Sequence, residues 1–303
     1  MKTKKALGLI LVVGLCVLTI VFKVSGINNE FKELYITMPG QEQPEVQYEI
    51  DDNLFNDYQQ ELMVYKFKNH KNHEEKAKLL AKKIGLHEEL QYDSKNNKYS
   101  KDKNSIYFDY EVDTGYWSFR NSKAFDLGVR NNIPTDTEAI EIAKNIIKEY
   151  NIYDERFSNI IVVNQTYGDE LSNNLEVLVK DVYFYPTVNG IPVLGISRII
   201  VSIGHEGEIV GICKYYKEYE EYKKVKLKNP KEAFKEVKKG KASNNIDPNA
   251  KEAKIKNVQL AYWEDGGGIN EQPHLQPVWI FEGESIDDNN EISKFDAIVP
   301  AIE

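Results

Sequence analysis

The chain has 303 residues, of which 41% are hydrophobic and 29% are charged, so it is long enough to bury a core in roughly two or three compact units. Residues 1–23 hold four lysines and no acid, which leaves 35 basic and 48 acidic residues beyond them, a net charge of −13. Such an acidic chain argues against nucleic acid as a partner. With Cys16 and Cys213 as its two cysteines, the fold depends on its core rather than on disulfides.

The N-terminus carries an apolar segment. Residues 6–22 contain no charged side chain and follow Lys2, Lys4 and Lys5. At ~1.5 Å per residue they cover roughly 25 Å, close to the ~30 Å hydrocarbon core of a bilayer. Lysines before such a segment are typical of an N-terminus that stays in the cytoplasm. We therefore expect residues 1–26 to be a signal anchor that crosses the cell membrane once and leaves the C-terminal domain extracellular.

Two other fates of this segment stay open. Residues 24–26 are small enough for a signal-peptidase site, although Lys23 is charged where such peptides are normally neutral. Cys16 offers a site for lipid attachment, but Leu15 before it is larger than the small residue that this modification prefers. Few cysteines, with many Lys, Asn, Ile and Tyr, are typical of a bacterium with an AT-rich genome, which we expect to be Gram-positive.

After the anchor, residues 27–54 predict a connector because they contain Pro39, Gly40 and Pro44 and show little periodicity. Residues 55–128 form the first predicted module. Its predicted elements are a strand at 62–67, a helix at 74–84 and paired strands at 105–112 and 116–119.

The second predicted module spans residues 129–226 and the third spans residues 227–303. The second opens on a helix for which Thr135 is the N-cap and Glu138 its capping-box partner. Predicted strands follow at 159–163, 175–185, 194–203 and 209–216, and in the third module, after a helix that begins at Pro230, at 255–263, 277–283 and 294–300. This recurrence predicts an α+β fold class, in which an N-terminal transmembrane helix precedes repeated modules of one helix over an antiparallel meander.

Enzymatic motifs are missing from the sequence. It contains no Gly-x-Ser-x-Gly elbow, phosphate-binding P-loop, His-Glu-x-x-His or Cys-x-x-Cys. His70, His73 and Glu74 have a spacing that can hold a metal, but such a group at a polar helix start is more typical of a solvated surface. The glycines at 266–268 favour a hairpin loop over an anion-binding cradle. We therefore expect no enzymatic activity, no cofactor and no metal.

One basic stretch stands out in the acidic part of the chain. Residues 214–241 contain eleven lysines and five glutamates, a local net charge of +6. In one interpretation its lysines and tyrosines contact lipid headgroups, an anionic wall polymer or an acidic partner. In the other, the tyrosines cover a neighbouring module while the lysines are solvated. The first interpretation gives these candidate partner-binding residues: Tyr216, Tyr219, Tyr222, Lys223 and Lys224.

Three stretches carry a family resemblance. They are Asn-Gly-Ile-Pro-Val at 189–193 with residues 201–210, Pro-Lys-Glu-Ala-Phe at 230–234, and Leu-Ala-Tyr-Trp at 260–263 with Gln-Pro-Val-Trp-Ile-Phe at 276–281. Together they resemble the PepSY-like modules of metalloprotease propeptides and of the YycI/YycH regulators. The resemblance implies a membrane-anchored extracytoplasmic regulatory protein that binds a two-component sensor histidine kinase or another anchored regulator. The alternative it implies is a propeptide-like inhibitor or chaperone of a secreted peptidase.

Overall fold

The computed structural model of the protein describes residues 30–32, 34, 36, 45–56, 58–69, 71–125, 132–152, 154–169 and 174–303. Seventeen strands and three α-helices lie in these ranges. The helices are α1 (His73–Lys83), α2 (Asp136–Glu149) and α3 (Pro230–Lys238). The strands are β1 (Gln47–Glu49), β2 (Glu61–Phe67), β3 (Gln91–Asp93), β4 (Lys98–Lys103), β5 (Ile106–Glu111), β6 (Trp117–Asn121), β7 (Asn159–Asp169), β8 (Asn174–Tyr185), β9 (Thr187–Val188), β10 (Ile191–Gly195), β11 (Arg198–Ile203), β12 (Ile209–Tyr215), β13 (Tyr219–Lys226), β14 (Ser243–Asn244), β15 (Ala250–Glu264), β16 (His274–Asp287) and β17 (Ile292–Pro300).

The strands form two sheets. The eight-stranded sheet has the order β3-β4-β5-β6-β12-β11-β8-β7, and all its neighbouring strands are antiparallel. The nine-stranded sheet has a main path of β13-β2-β16-β15-β10-β9, with β1 beside β15, β17 beside β16 and β14 beside β17. Within it, β15 pairs in parallel with both β1 and β10. Strands β12 and β13 are joined by residues 216–218, so this short link connects the two sheets.

Helices α1 and α2 cover one face of the eight-stranded sheet. Their buried residues are mostly alanines, which let the helix backbone lie close to the strands, and they share one apolar cluster with the sheet: Ala77, Ala81, Ala139, Ala143, Ile147, Phe108, Trp117, Ile199, Val201 and Ile212. The predicted capping box of α2 is confirmed. The amide of Glu138 donates to Thr135 Oγ1 (3.3 Å), and the amide of Thr135 donates to Glu138 Oε2 (2.8 Å).

Helix α3 covers the nine-stranded sheet. Asn229 caps it by accepting from the Lys231 amide (2.8 Å), and Pro230 occupies its first turn, where a missing N–H costs nothing. Phe234 of α3 packs on Phe281 of β16, with ring centroids 5.6 Å apart. The core of this sheet therefore combines strands from the beginning and the end of the chain with one helix.

The parallel pairing of β10 with β15 depends on Gly195. This residue has φ +88°, and a Cβ built on it would lie 2.2 Å from the carbonyl oxygen of Glu264. Only glycine combines this backbone conformation with so close an approach. The close approach brings the end of β10 directly against the end of β15.

The predicted fold class is wrong. The described residues form a mainly β structure in which strands of different predicted modules share a sheet: β6 pairs with β12, and β2 pairs with β13 and β16. Repeated helix-plus-meander modules would instead pair their strands locally. Period-two alternation indicated many strands, but it carries no signal for a partner far along the chain.

The prediction of a transmembrane helix and signal anchor is corrected together with the fold class. Of the helices that the structure describes, none is both long and apolar enough to cross a bilayer. The predicted anchor in residues 1–26 lies outside the described residues.

Candidate partner-binding surface

Four of the five candidate residues lie on β13, an edge strand of the nine-stranded sheet. Strand β13 pairs along one side with β2, and in the described part of the chain no strand pairs with its other side. The register shifts between Glu221 and Lys223, which inserts Tyr222 as an extra residue. Such bulges occur often at sheet edges, where they turn side chains and increase the local twist.

Tyr216 lies apart from the other four, in the link that leads into β13. It is buried against Phe157, with ring centroids 4.8 Å apart, and the Lys214 ammonium lies 4.0 Å from its ring centroid. Its hydroxyl donates to the Ile152 carbonyl (3.4 Å). Tyr216 therefore belongs to the core of the eight-stranded sheet.

Tyr219 is half-buried between an aromatic ring and a cation. Its ring meets Tyr65 edge to face, with centroids 5.1 Å apart, and the Arg156 guanidinium lies 4.4 Å from its centroid. Arg156 is held in place by Asp154, whose oxygens accept from Nε (2.9 Å) and Nη2 (2.5 Å). Burial raises the pKa of Tyr219 to about 12. Tyr219 thus fixes the start of β13 against β2 and the 154–156 segment.

Tyr222 and Lys223 contact the first residues that the structure describes. Glu30 accepts from Lys223 Nζ (2.6 Å) and from the Tyr222 hydroxyl (3.2 Å), and the Lys223 hydrogen bond lowers the pKa of Glu30. Phe31 meets Tyr222 edge to face at 6.3 Å and His274 at 5.3 Å. Glu30 and Phe31 therefore lie against this face of β13.

Lys224 lines an open cleft beside β2. The cleft has a volume of about 720 Å³, and its lining is mixed: Gln59, Gln60, Glu61, Leu62, Met63, Tyr65, Asn189, Ile191, Glu221, Lys224 and Tyr262. The amide nitrogen of Asn189 donates to the Tyr65 hydroxyl (3.3 Å). Two tyrosine rings with a nearby lysine and glutamate can take a side chain that is partly apolar and partly charged.

The cleft opens where β2 has no strand on the side opposite β13. In the described residues β16 pairs with β2 only at Tyr65 and Lys66, through Leu275 and His274. Farther along β2, the Tyr262 hydroxyl donates to the Met63 carbonyl (2.6 Å). A side-chain hydroxyl therefore satisfies a backbone group that a strand would otherwise satisfy. We call β13 and this cleft together the β13 surface.

A buried ionic cluster, which sequence reasoning missed, fixes the link that precedes β13. Glu264 is fully buried, and its Oε1 accepts from the Tyr116 hydroxyl (3.0 Å) and the Lys217 amide (2.7 Å). The Lys217 ammonium donates to the Asp265 carbonyl (2.6 Å). Burial raises the pKa of Glu264 and lowers that of Lys217. Because both charges are shielded from solvent, the cluster positions β13 and is not itself open to a ligand.

The described residues form no metal site at His73 and Glu74. His73 Nδ1 lies 3.1 Å from the Tyr110 hydroxyl, and His70 is outside the described residues. No group of three or more His, Cys, Asp or Glu with metal-binding geometry occurs in the part of the chain that the structure describes. Cys213 is half-buried, and burial raises its pKa.

Comparison with known proteins finds no family and a weak structural similarity. No protein-family model matches the chain, and no curated protein matches it. The crystal structure of an uncharacterized protein from Eubacterium rectale ATCC 33656 is similar at a TM-score of 0.47 and 13% identity, over 80% of this chain and 84% of that one. At this TM-score neither fold nor function is inferred from the likeness. The YycI/YycH-like resemblance therefore stays a prediction.

Proposed function

We propose that the chain is an extracytoplasmic regulatory binding protein, and that its β13 surface contacts a membrane partner such as a two-component sensor histidine kinase. The observation that carries the proposal is the β13 surface itself, where an edge strand lies beside a cleft with aromatic and charged walls. An extended segment of the partner adds to the sheet there, and one of its side chains enters the cleft.

The free edge of β13 supports this mode of binding. On the opposite side of β2 the Tyr262 hydroxyl already satisfies the Met63 carbonyl, whereas no described strand pairs with the outer edge of β13. An incoming strand forms main-chain hydrogen bonds with this edge of β13, and specificity comes from the side chain that enters the cleft and meets Tyr65, Glu221 and Lys224. The partner segment is therefore expected to be extended.

The charges of β13 favour a segment of mixed charge. The strand carries Glu220 and Glu221 followed by Lys223, Lys224 and Lys226, all exposed. Opposite charges in sequence select the direction of a bound strand, because the reversed strand places like charges together. This pattern favours a specific protein partner over a uniformly anionic wall polymer.

Site-specific photocrosslinking in the native membrane tests the proposal. A photoreactive residue replaces Lys224 in the full-length chain, and the captured proteins are identified by mass spectrometry. The matched control carries the same residue at Lys251, an exposed lysine on β15. Capture of a histidine kinase from position 224 and not from 251 supports the proposal, whereas equal capture from both positions refutes it.

A charge-swap variant adds a second readout. Glu221→Lys combined with Lys224→Glu keeps the net charge but reverses the order of charges on the cleft. We expect this variant to fold normally and to lose most of the capture. Unchanged capture would show that the contact lies away from the β13 surface.

The edge strand also favours the alternative, a propeptide-like inhibitor or chaperone of a secreted peptidase, because peptidases bind their ligands as extended strands. This alternative requires capture of a peptidase from position 224, together with inhibition of that peptidase by the purified chain. Altered kinase signalling with unchanged peptidase activity excludes it.

A further inference from the structure

Strand β7 is the edge of the eight-stranded sheet, and its length and composition are unusual for an edge. It runs from Asn159 to Asp169, and among the described residues only β8 pairs with it. Residues 159–168 contain no charged side chain, in a chain where 29% of residues are charged. Natural edge strands are normally protected by charges, proline or short length.

The same edge concentrates exposed apolar side chains. Nine large hydrophobic residues are exposed in the described part of the chain, and four of them lie on β7 and its neighbour β8: Ile161, Val163, Tyr167 and Leu175. Each of the four is about half exposed (45–56%). An apolar patch that adjoins unpaired backbone groups marks an interaction surface.

We propose that β7 pairs in antiparallel fashion with β7 of a second copy of this chain, which joins the two eight-stranded sheets into one continuous sheet. A strand paired with itself about a two-fold axis places residue i opposite residue j and j opposite i. A pairing centred on Val163, for example, sets Ile161 against Gln165. Any such register within residues 159–168 brings only uncharged side chains together.

The charge of the chain favours a second copy of it as the partner of the β7 edge. Two chains of net charge −9 repel each other, so they associate best through a strip that carries no charge. The other long edge, β13, carries two glutamates and three lysines, which would face like charges in several two-fold registers. Strands β3 and β9, with three and two residues, are too short to form a stable edge contact.

This pairing uses a different sheet from the β13 surface and holds or fails independently of the proposed function. The test is sedimentation of the full-length chain over a range of concentrations, with a mild nonionic detergent in every sample. Val163→Lys places two lysines near the two-fold axis and is expected to raise the dissociation constant of the dimer at least about tenfold. The control Leu79→Lys, at a 58% exposed residue of α1, leaves it unchanged. A chain that is monomeric throughout, or a dimer that Val163→Lys leaves intact, overturns the proposal.

Disulfide trapping gives a second readout that does not depend on the stability of the lysine variant. In an antiparallel pair, residues at the two-fold axis have Cβ atoms close enough for a disulfide. Single cysteines placed in turn at each position from 160 to 166 are expected to trap a covalent dimer at the one or two positions nearest the two-fold axis, faster than Leu79→Cys or the wild-type chain. Equal trapping at position 79 also overturns the proposal.

Discussion

Lys214 should make the stability of the protein depend on pH in the alkaline range. Its side chain points from β12 into the interior, where the ammonium donates to the carbonyls of Tyr216 (2.8 Å) and Gly115 (3.4 Å). Burial lowers its pKa from 10.5 to about 8. The folded state therefore gives up this proton at a lower pH than the unfolded chain does.

The two pKa values of Lys214 determine whether the free energy of unfolding rises or falls with pH. Between a folded pKa of about 8 and an unfolded pKa of 10.5, the unfolded chain binds more protons, so the free energy of unfolding rises with pH. Below the folded pKa the cost of the buried charge is fully present. Between about pH 7 and pH 9.5 the gain from this one group is about 2 kcal/mol.

Urea unfolding at several pH values measures this gain. Lys214→Met keeps most of the side-chain volume and removes the titration, while Lys251→Met at an exposed position serves as the control. Because Lys214→Met also loses two hydrogen bonds, the readout is the pH dependence and not the absolute stability. If wild type and Lys214→Met change in parallel from pH 7 to pH 9.5, the reasoning about the buried ammonium is wrong.

Three further changes test the packing between the elements. Gly195→Ala should lower the free energy of unfolding by about 3 kcal/mol or more, because its Cβ collides with the Glu264 carbonyl, whereas Gly190→Ala, with nothing within 4 Å, should cost about 1 kcal/mol. Tyr116→Phe removes a hydrogen bond to the buried Glu264 carboxyl group and should cost about 1–3 kcal/mol. Thr135→Ala removes the N-cap of α2 and should cost about 1 kcal/mol, while Thr135→Ser should cost much less.

Denaturant midpoints measure all three effects. Equal losses for Gly195→Ala and Gly190→Ala would contradict the close approach of β10 to β15. A Tyr116→Phe variant as stable as wild type would mean that the hydroxyl contributes nothing to holding Glu264. If serine and alanine at position 135 were equivalent, the capping box would have no energetic role.

Local chemistry predicted the elements well. The capping box at Thr135 and Glu138 begins α2 as expected, because the signal lies within four residues. The predicted strand at 277–283 lies inside the longer strand β16 (His274–Asp287), since alternation and bulky apolar residues mark its centre better than its ends. Strands can therefore be placed from such patterns.

Local sequence patterns could not predict which strands pair with β13 or which lysines near it are buried. Nothing near Leu62 or Lys224 indicates that β2 and β13 are neighbours, because their contact depends on the whole sheet. The lysine-rich stretch suggested a solvated surface, yet Lys214 and Lys217 are buried. The sequence did contain one signal. Lys214 lies two residues after the apolar residue Ile212, and because side chains alternate along a strand, both lie on the buried face of β12.

The topology of the nine-stranded sheet imposes an order on biosynthesis. The eight-stranded sheet is complete once residue 215 has emerged, because all its strands precede that point. Strand β2 emerges early, but it must wait for β13 and then for β16 near the end of the chain. The nascent protein therefore carries β2 without a strand partner until β13 emerges, and a chain that stops before residue 274 lacks β16 and β17, which supply much of the core of the nine-stranded sheet. Synthesis of these two strands is thus the step that closes this core.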